Sequence, residues 1–367
     1  MRRVSNEFTV MKIAIITEVL FDVDGTSSDR SFMDIITAYS VYAEEVLIIA
    51  PSESLPFNIT SGNIKVHGIS FYSKKKRLIN PFVLKKSLPD LTGYTLQYRI
   101  PSVFALQMKV YLSRNIREVL YVAGDWCTSF KSNYRFLGSG LVGLIMDRTQ
   151  IQLFKQIPAV TAGSFLSHKW SKYNPTLSYV SVSHNEVINC IKDSKKLNIV
   201  YVGRIEGLKQ PRFFLDIADS FRNDDSVNFT MVGANILGID FSTHNVNYLG
   251  VIKDWQILSE IYRSSHILCL PSISEGTPKV VSEAMSFGCV PLTISNVGSI
   301  GDIYNSSQGL FLENDHYKWI QSIKFLSRDR ATLDRLSIGA LRRAEEITLN
   351  NQVSKVFEFY EKDHYNN

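Results

Sequence analysis

Four cysteines in 367 residues (Cys127, Cys190, Cys269 and Cys289) show no metal-like spacing, and three adjoin apolar runs, so they read as free core thiols of a reducing compartment. No apolar run reaches the ~18–20 residues that span a bilayer. The longest, Leu137 to Met146, is broken by Gly138, Ser139, Gly140 and Gly143. A secretory leader is not indicated. Arg2 and Arg3 imitate a charged start, but the apolar segment behind them contains Lys12 and Glu18 and has no small-residue cleavage site. Residues 1–10 read as an extension ahead of a first strand. Repeats at a solenoid period and low-complexity tracts are also missing. The formal charge of +5 is mild and does not indicate a nucleic-acid partner. What is present is ordinary globular composition, 45% apolar and 20% charged, in a chain long enough for two domains with real cores.

Short continuous apolar runs alternate with helical spacing, the pattern of parallel sheets covered on both faces. Strands are expected at Ile13–Thr17, Val46–Ala50, Ile64–Ile69, Tyr94–Ile100, Val119–Ala123, Ala159–Ala162 and Tyr179–Val182. Helices are expected over 29–42, 102–117 and 133–156. The composition turns polar at His184 to Lys196, and Asp193–Lys196 reads as a linker. Alternation then restarts, with strands at Leu197–Val202, Val227–Val232, Tyr248–Gly250, His266–Leu270, Cys289–Ile294 and Gly309–Leu312. Helices are expected over 210–221, 318–326 and 331–347, and a last one over 351–360.

The densest chemistry lies between Ser274 and Gly298, SEGTPKVVSEAMSFGCVPLTISNVG. Glu275 and Gly276 follow a strand, and Pro278 takes the place of a first helical residue, where a missing N–H costs nothing. Val280, Val281, Ala284 and Met285 recur at helical spacing, which predicts a buried face; Gly288 ends the helix. Free N–H groups at such a helix start favour an anion, commonly phosphate. Glu275 is placed to accept bonds from hydroxyls near that phosphate, and Glu283 two from a vicinal diol such as ribose. From these residues alone, a nucleotide-sugar clamp and an ordinary crossover with two solvated glutamates are equally good descriptions.

The wider stretch from Pro271 resembles the E-x7-E region of the retaining GT-B glycosyltransferases of family four. Pro271, Ser272, Glu275, Gly276, Pro278, Glu283, Ala284, Met285, Gly288 and Pro291 stand at that family's offsets. The resemblance runs from about Leu197 to about Glu346, and the first half of the chain follows only in outline. It implies an α/β architecture of two doubly wound Rossmann-like domains facing a central cleft. Residues 11–190 would form an acceptor-binding domain and 197–346 a nucleotide-sugar donor-binding domain, with a helix over 348–362 packing back on the first.

The same resemblance assigns candidate residues. Gly203, Arg204 and Lys209 match an element that binds the leaving diphosphate, which suits a forked guanidinium and an ammonium at a strand end. That element carries glycine after the lysine, where this chain has Gln210. Glu275, Arg204, Lys209 and Asp125 are the catalytic candidates, and Glu283, Gly276, Thr277, Pro278, Gly203 and Gly25 the donor-binding ones. Only Gly25 stands in the loop Phe21–Asp29, where the family has a glycine pair. Asp125 is balanced between contact with the transferred sugar and capping the next segment. Arg99 is balanced between an acceptor phosphate and an ordinary ion pair. His184 and Asn185 read as linker, and Gly298 and Asp302 as structural.

By resemblance the reaction is retaining transfer from a UDP- or GDP-sugar to a glycan or lipid-linked hydroxyl, in bacterial surface polysaccharide synthesis. No cofactor or metal is expected, and no nucleic acid. The expected location is the cytoplasm, or the inner face of the cell membrane if the basic cluster Lys74–Arg77, Lys85 and Lys86 rests on an anionic leaflet. Two alternatives stand beside it. Phe21-Asp-Val-Asp-Gly-Thr26 resembles the first motif of haloacid dehalogenase-like phosphatases, with Asp22 and Asp24 as nucleophile and proton shuttle. The other is a catalytically inactive GT-B binding subunit.

Overall fold

The computed structural model describes residues 11–21, 27, 29–52, 57–70, 84, 86–112, 115–127, 130, 139–190, 192 and 195–364. The chain divides into two compact units, Met1–Tyr179 with Gln352–Asn367, and Val180–Asn351. Residues 180–196, expected as the end of one domain and a linker, therefore go with the second unit.

In the first unit the strands are β1 (Met11–Ile16), β2 (Ala43–Ser52), β3 (Phe57–Ser61), β4 (Ile64–Ser70), β5 (Tyr94–Ile100), β6 (Glu118–Val122), β7 (Ala159–Ala162) and β8 (Thr176–Tyr179). They form one sheet in the order β3-β4-β2-β1-β5-β6-β7-β8. All pairings are parallel except β3 with β4. Its helices are α1 (Arg30–Tyr42), α2 (Val103–Tyr111), α3 (Ser139–Leu153) and α4 (Ser164–Trp170). α1 starts where the Asp29 carboxylate accepts from Phe32 N–H, and α2 where the Ser102 hydroxyl accepts from Ala105 N–H.

The second unit holds β9 (Leu197–Val202), β10 (Val227–Val232), β11 (Asn247–Tyr248), β12 (Ile267–Leu270), β13 (Val290–Ile294) and β14 (Leu310–Leu312). They form an all-parallel sheet in the order β11-β10-β9-β12-β13-β14. Its helices are α5 (Pro211–Asp219), α6 (Trp255–Ser264), α7 (Lys279–Met285), α8 (Ile300–Ile303), α9 (His316–Arg328) and α10 (Arg330–Glu346). β12 and β13 are buried at every position, which is why they read as unbroken apolar runs. The core joins Phe213 and Phe214 of α5, Phe229 of β10 and Trp319 of α9. Each such ring stabilises the unit by about 1.5–3 kcal/mol through area removed from water.

The last helix, α11 (Leu349–His364), starts in the second unit, where the His184 carbonyl and the Asn185 side chain accept from Leu349 and Asn350 N–H. Its remainder belongs to the first unit, with the Phe357 ring against Tyr39 and stacked on Tyr42.

Several expectations need correction. The strand expected at Tyr179–Val182 is β8, which ends at Tyr179. The helix expected over 102–117 ends at Tyr111, and that over 133–156 is described as Ser139–Leu153. β3 escapes the periodicity argument because its FNITS sequence is mostly exposed and carries two apolar residues. α6 is not among the expected helices, although Trp255, Leu258, Ile261 and Tyr262 stand at helical spacing in it.

Candidate functional site

Most candidate residues lie at the ends of β9 and β12. As β9 ends, Gly203 N–H bonds the Val232 carbonyl at 3.0 Å. Gly233 follows with φ +148°, and a Cβ there would stand 1.8 Å from the Gly203 oxygen. Gly233 therefore lets neighbouring strand ends close on each other, a requirement the sequence reading missed. Tyr201 Oη donates to the Arg204 carbonyl at 3.2 Å. Burial, and next the Glu275 charge, hold that phenol well above its usual pKa, so it remains a donor. The Arg204 side chain is largely exposed and pairs with Glu206 at 3.0 Å.

A 3-10 turn, Gly207–Lys209, follows, closed by Lys209 N–H to Glu206 O (3.1 Å) and Gln210 N–H to Gly207 O (3.2 Å). Gln210 then takes φ 46°, ψ 54°, the left-handed region, and Pro211 opens α5. The glycine that the resemblance expects after the lysine would suit this backbone better; glutamine occupies it under strain.

The loop after β12 lies against this turn, since Ile273 N–H bonds the Leu208 carbonyl at 3.0 Å. Lys209 Nζ makes an ion pair with Glu275 Oε1, and Glu275 is nearly enclosed, its side chain 7% exposed. Gly298 supports that loop from behind. Its φ is +55°, and an added Cβ would stand 2.0 Å from the Glu275 carbonyl oxygen, while Ser299 N–H bonds Gly276 O at 2.9 Å. Pro278 is the N-cap of α7, one residue earlier than expected. Val281, Ala284 and Met285 face the core, and Val280 is half-buried.

Glu283, on α7, is held by neutral donors. Ser183 Oγ donates to Oε1 at 2.5 Å and Tyr262 Oη to Oε2 at 3.3 Å. Burial, then the Glu283 charge, keep Tyr262 protonated. Each carboxylate oxygen keeps a second lone pair for another donor. Neither Ser183 nor Tyr262 carries a sequence signal, because their pairing with Glu283 is set by packing across the unit.

Thus Lys209 and Glu275 are in contact, with Gly276 and Thr277 in the same loop; the Arg204 guanidinium is engaged by Glu206, and Glu283 has its own partners. Asp125 lies in the first unit after β6 and is 8% exposed. Arg99, at the end of β5, lies over the Phe32 ring at 5.3 Å, with its Nε buried and without a partner among the described residues. Gly25, Asp22 and Asp24 fall outside the described residues, as do Lys74–Arg77 and Lys85; Lys86 is exposed. Among the described residues no cluster of metal-ligand type occurs, and no helix is long and apolar enough to cross a membrane. Chemically, the turn and loop offer cations for an anion and carboxylates for hydroxyls.

Residues 196–329 match the family model described as Glycosyl transferases group 1. A D-inositol 3-phosphate glycosyltransferase from Rhodococcus opacus (strain B4) is 25% identical over 185 residues, covering 46% of this chain and 41% of that protein. Its counterpart from Rhodococcus jostii (strain RHA1) matches with the same identity and coverage. The chain thus spans about two fifths of the length of the curated relatives it matches. Among solved structures, sucrose-phosphate synthase from Thermosynechococcus elongatus superposes with TM-score 0.68 at 13% identity, covering 96% of this chain and 100% of that one. HepE from Anabaena, solved in complex with UDP, gives TM-score 0.67 at 13% identity, over 95% of this chain and 100% of that one. The chain therefore has the GT-B fold, and residues 196–329 of its second unit are similar to the Glycosyl transferases group 1 family.

Proposed function

We propose that the chain is a retaining glycosyltransferase that moves a sugar from a nucleotide diphosphate-sugar to an acceptor hydroxyl. The observation that carries this is the Lys209–Glu275 ion pair, which joins the turn after β9 to the loop after β12. A cation that already reaches the carboxylate loop is positioned to meet charge developing beside it.

In this proposal the diphosphate departs with the electrons of the anomeric C–O bond. Lys209 and Arg204 stabilise the developing charge, with backbone N–H groups of the Gly276–Pro278 loop beside them. Glu275 accepts from hydroxyls of the transferred sugar and shares its oxocarbenium-like charge. Glu283 accepts from the ribose diol, its carboxylate oriented by Ser183 and Tyr262. The chain's own cations supply the positive charge, so the proposal includes no metal. The acceptor oxygen attacks from the face the diphosphate leaves, which retains the anomeric configuration. Residues 11–190 take the acceptor, with Asp125 as the residue that orients it. We further propose a glycan or lipid-linked acceptor in bacterial surface polysaccharide synthesis, with peripheral membrane contact.

UDP in the Anabaena structure, and the glycosyltransferase names of the Rhodococcus relatives, support the donor class. The test is a thermal-shift panel of UDP- and GDP-sugars on wild type and Glu283→Ala. One sugar nucleotide is expected to raise the wild-type Tm and leave the variant unmoved. No shift with any panel member would defeat the proposal, and binding without turnover across an acceptor panel would leave a GT-B binding subunit.

A further inference from the structure

Gln210 is placed where only a glycine avoids strain, with φ 46° and ψ 54°. A residue with a Cβ costs roughly 1–2 kcal/mol in this conformation. Its side chain does not offset that cost. It makes no capping bond to α5, and its amide nitrogen is buried with no partner among the described residues. A buried amide donor left unpaired costs a further ~1–3 kcal/mol. So Gln210 is unfavourable in two respects at once, next to Lys209.

Its surroundings repeat the pattern. Ser272 is fully buried and its Oγ has no partner among the described residues, and Thr277 Oγ1 is likewise buried and unpaired among them. Both flank Glu275 in the loop that Lys209 pairs with and that hydrogen-bonds the turn through Ile273 and Leu208. The turn and loop therefore carry three unpaired side-chain atoms able to donate a hydrogen bond, beside an ammonium group. Buried polar atoms in native structures are normally satisfied, so a group of orphans indicates an absent guest. A set of donors suits a guest that only accepts, and diphosphate oxygens do only that.

We infer that Gln210 is a donor-binding residue whose side-chain amide N–H donates to a diphosphate oxygen of the nucleotide sugar, with the hydroxyls of Ser272 and Thr277 completing the cradle. This rests on the function proposed above and adds a position at which the chain departs from the family it resembles. The strain at Gln210 is then retained for binding, because glycine would relieve it and lose the amide.

The experiment measures two quantities in wild type, Gln210→Gly and Gln210→Glu: the Tm without nucleotide, and the Kd for UDP, GDP, UMP and GMP by calorimetric titration. Gln210→Gly is expected to raise the Tm and to weaken the preferred nucleoside diphosphate about tenfold, with much less effect on its monophosphate. Gln210→Glu, which brings a carboxylate to the phosphates, is expected to weaken the diphosphate more than Gln210→Gly does. A lower Tm for Gln210→Gly would mean the amide serves the fold, and an unchanged diphosphate affinity would also overturn the inference. Glu283→Ala separates the two layers. If wild type binds a diphosphate, Glu283→Ala weakens it and Gln210→Gly does not, only the Gln210 assignment fails. If wild type binds none of the four nucleotides, the proposed function fails and the assignment with it.

Discussion

Acidic side chains beside the C-terminal strand ends of the two units have different partners. In the first unit Glu18, after β1, accepts from the Phe104 backbone N–H in the first turn of α2 at 2.8 Å. Asp147 accepts from Trp126 and Cys127 N–H at 3.1 and 3.4 Å and pairs with Lys169 at 2.7 Å. In the second unit Glu275 pairs with a lysine side chain, and Glu283 takes bonds from a serine and a tyrosine. Backbone amides held by Glu18 and Asp147 have few ways to move without unfolding a helix start. Side chains such as Lys209 and Ser183 can rotate toward a ligand. This difference sets Glu275 and Glu283 of the second unit apart from Glu18 and Asp147 of the first.

Substitutions can break that contrast, beginning with the largest expected effect. Gly298→Ala should cost about 3 kcal/mol, from the clash with Glu275 O and the left-handed backbone, and lower Tm by roughly 6–12 °C. Gly276→Ala, with open space around the added Cβ, should leave Tm nearly unchanged. Equal melting of the two variants would remove the claim that Gly298 braces the Glu275 loop.

Asp147→Ala comes next, at about 2 kcal/mol, because it orphans two backbone N–H groups and leaves Lys169 without its partner. The loss should appear in thermal melts while affinity for a sugar nucleotide is unchanged. Weakened donor binding would mean the first unit's acids are not purely structural.

Acid should act on the second unit through His266. Its Nδ1 accepts from the Asn198 backbone N–H at 3.1 Å, which requires the neutral ring. Burial first, then the charges of Lys192 and Arg330, lower its pKa to about 4. The unfolded chain protonates this histidine near pH ~6.5, so between about 6.5 and about 4 the unfolded state binds more protons. Stability is full above that window and declines as pH falls through it. His266→Asn, whose side-chain oxygen can replace Nδ1, should flatten the decline in Tm between pH 7.5 and pH 4.5. Parallel curves would exclude His266 as the cause.

The smallest expected effect is that of Glu206→Gln. The Arg204–Glu206 pair is exposed on the arginine side, so its loss should move stability by less than about 0.5 kcal/mol. If Arg204 serves a diphosphate, the freed guanidinium should bind nucleoside diphosphate as well as in wild type or better. Weaker binding would show that Glu206 positions the arginine.

Parts of this were legible in the residues alone. The unbroken apolar strands revealed two parallel sheets, because burial on both faces removes the polar alternation. The offsets around Glu275 and Lys209 drew attention to the turn and loop that the structure joins by an ion pair. Partners set by packing were not legible. Ser183 reaches Glu283 across a hundred residues of chain, and Tyr262 meets it from a separate helix. Gly233 and Gly298 look like ordinary loop glycines until the carbonyls facing them are seen. Gln210 reads in the sequence only as a departure from the family's glycine; its left-handed backbone, and an amide unpaired among the described residues, are set by the fold.

The central claim is that Lys209, poised on Glu275, receives the charge of a departing diphosphate. Titration of UDP and GDP into wild type and Lys209→Met, each beside the matching monophosphate, tests it most directly. The account predicts at least a tenfold loss of diphosphate affinity in Lys209→Met, as expected for a charge-assisted hydrogen bond of about 1.5–3 kcal/mol, and a smaller loss for the monophosphate. Equal diphosphate affinity in the two proteins would contradict it.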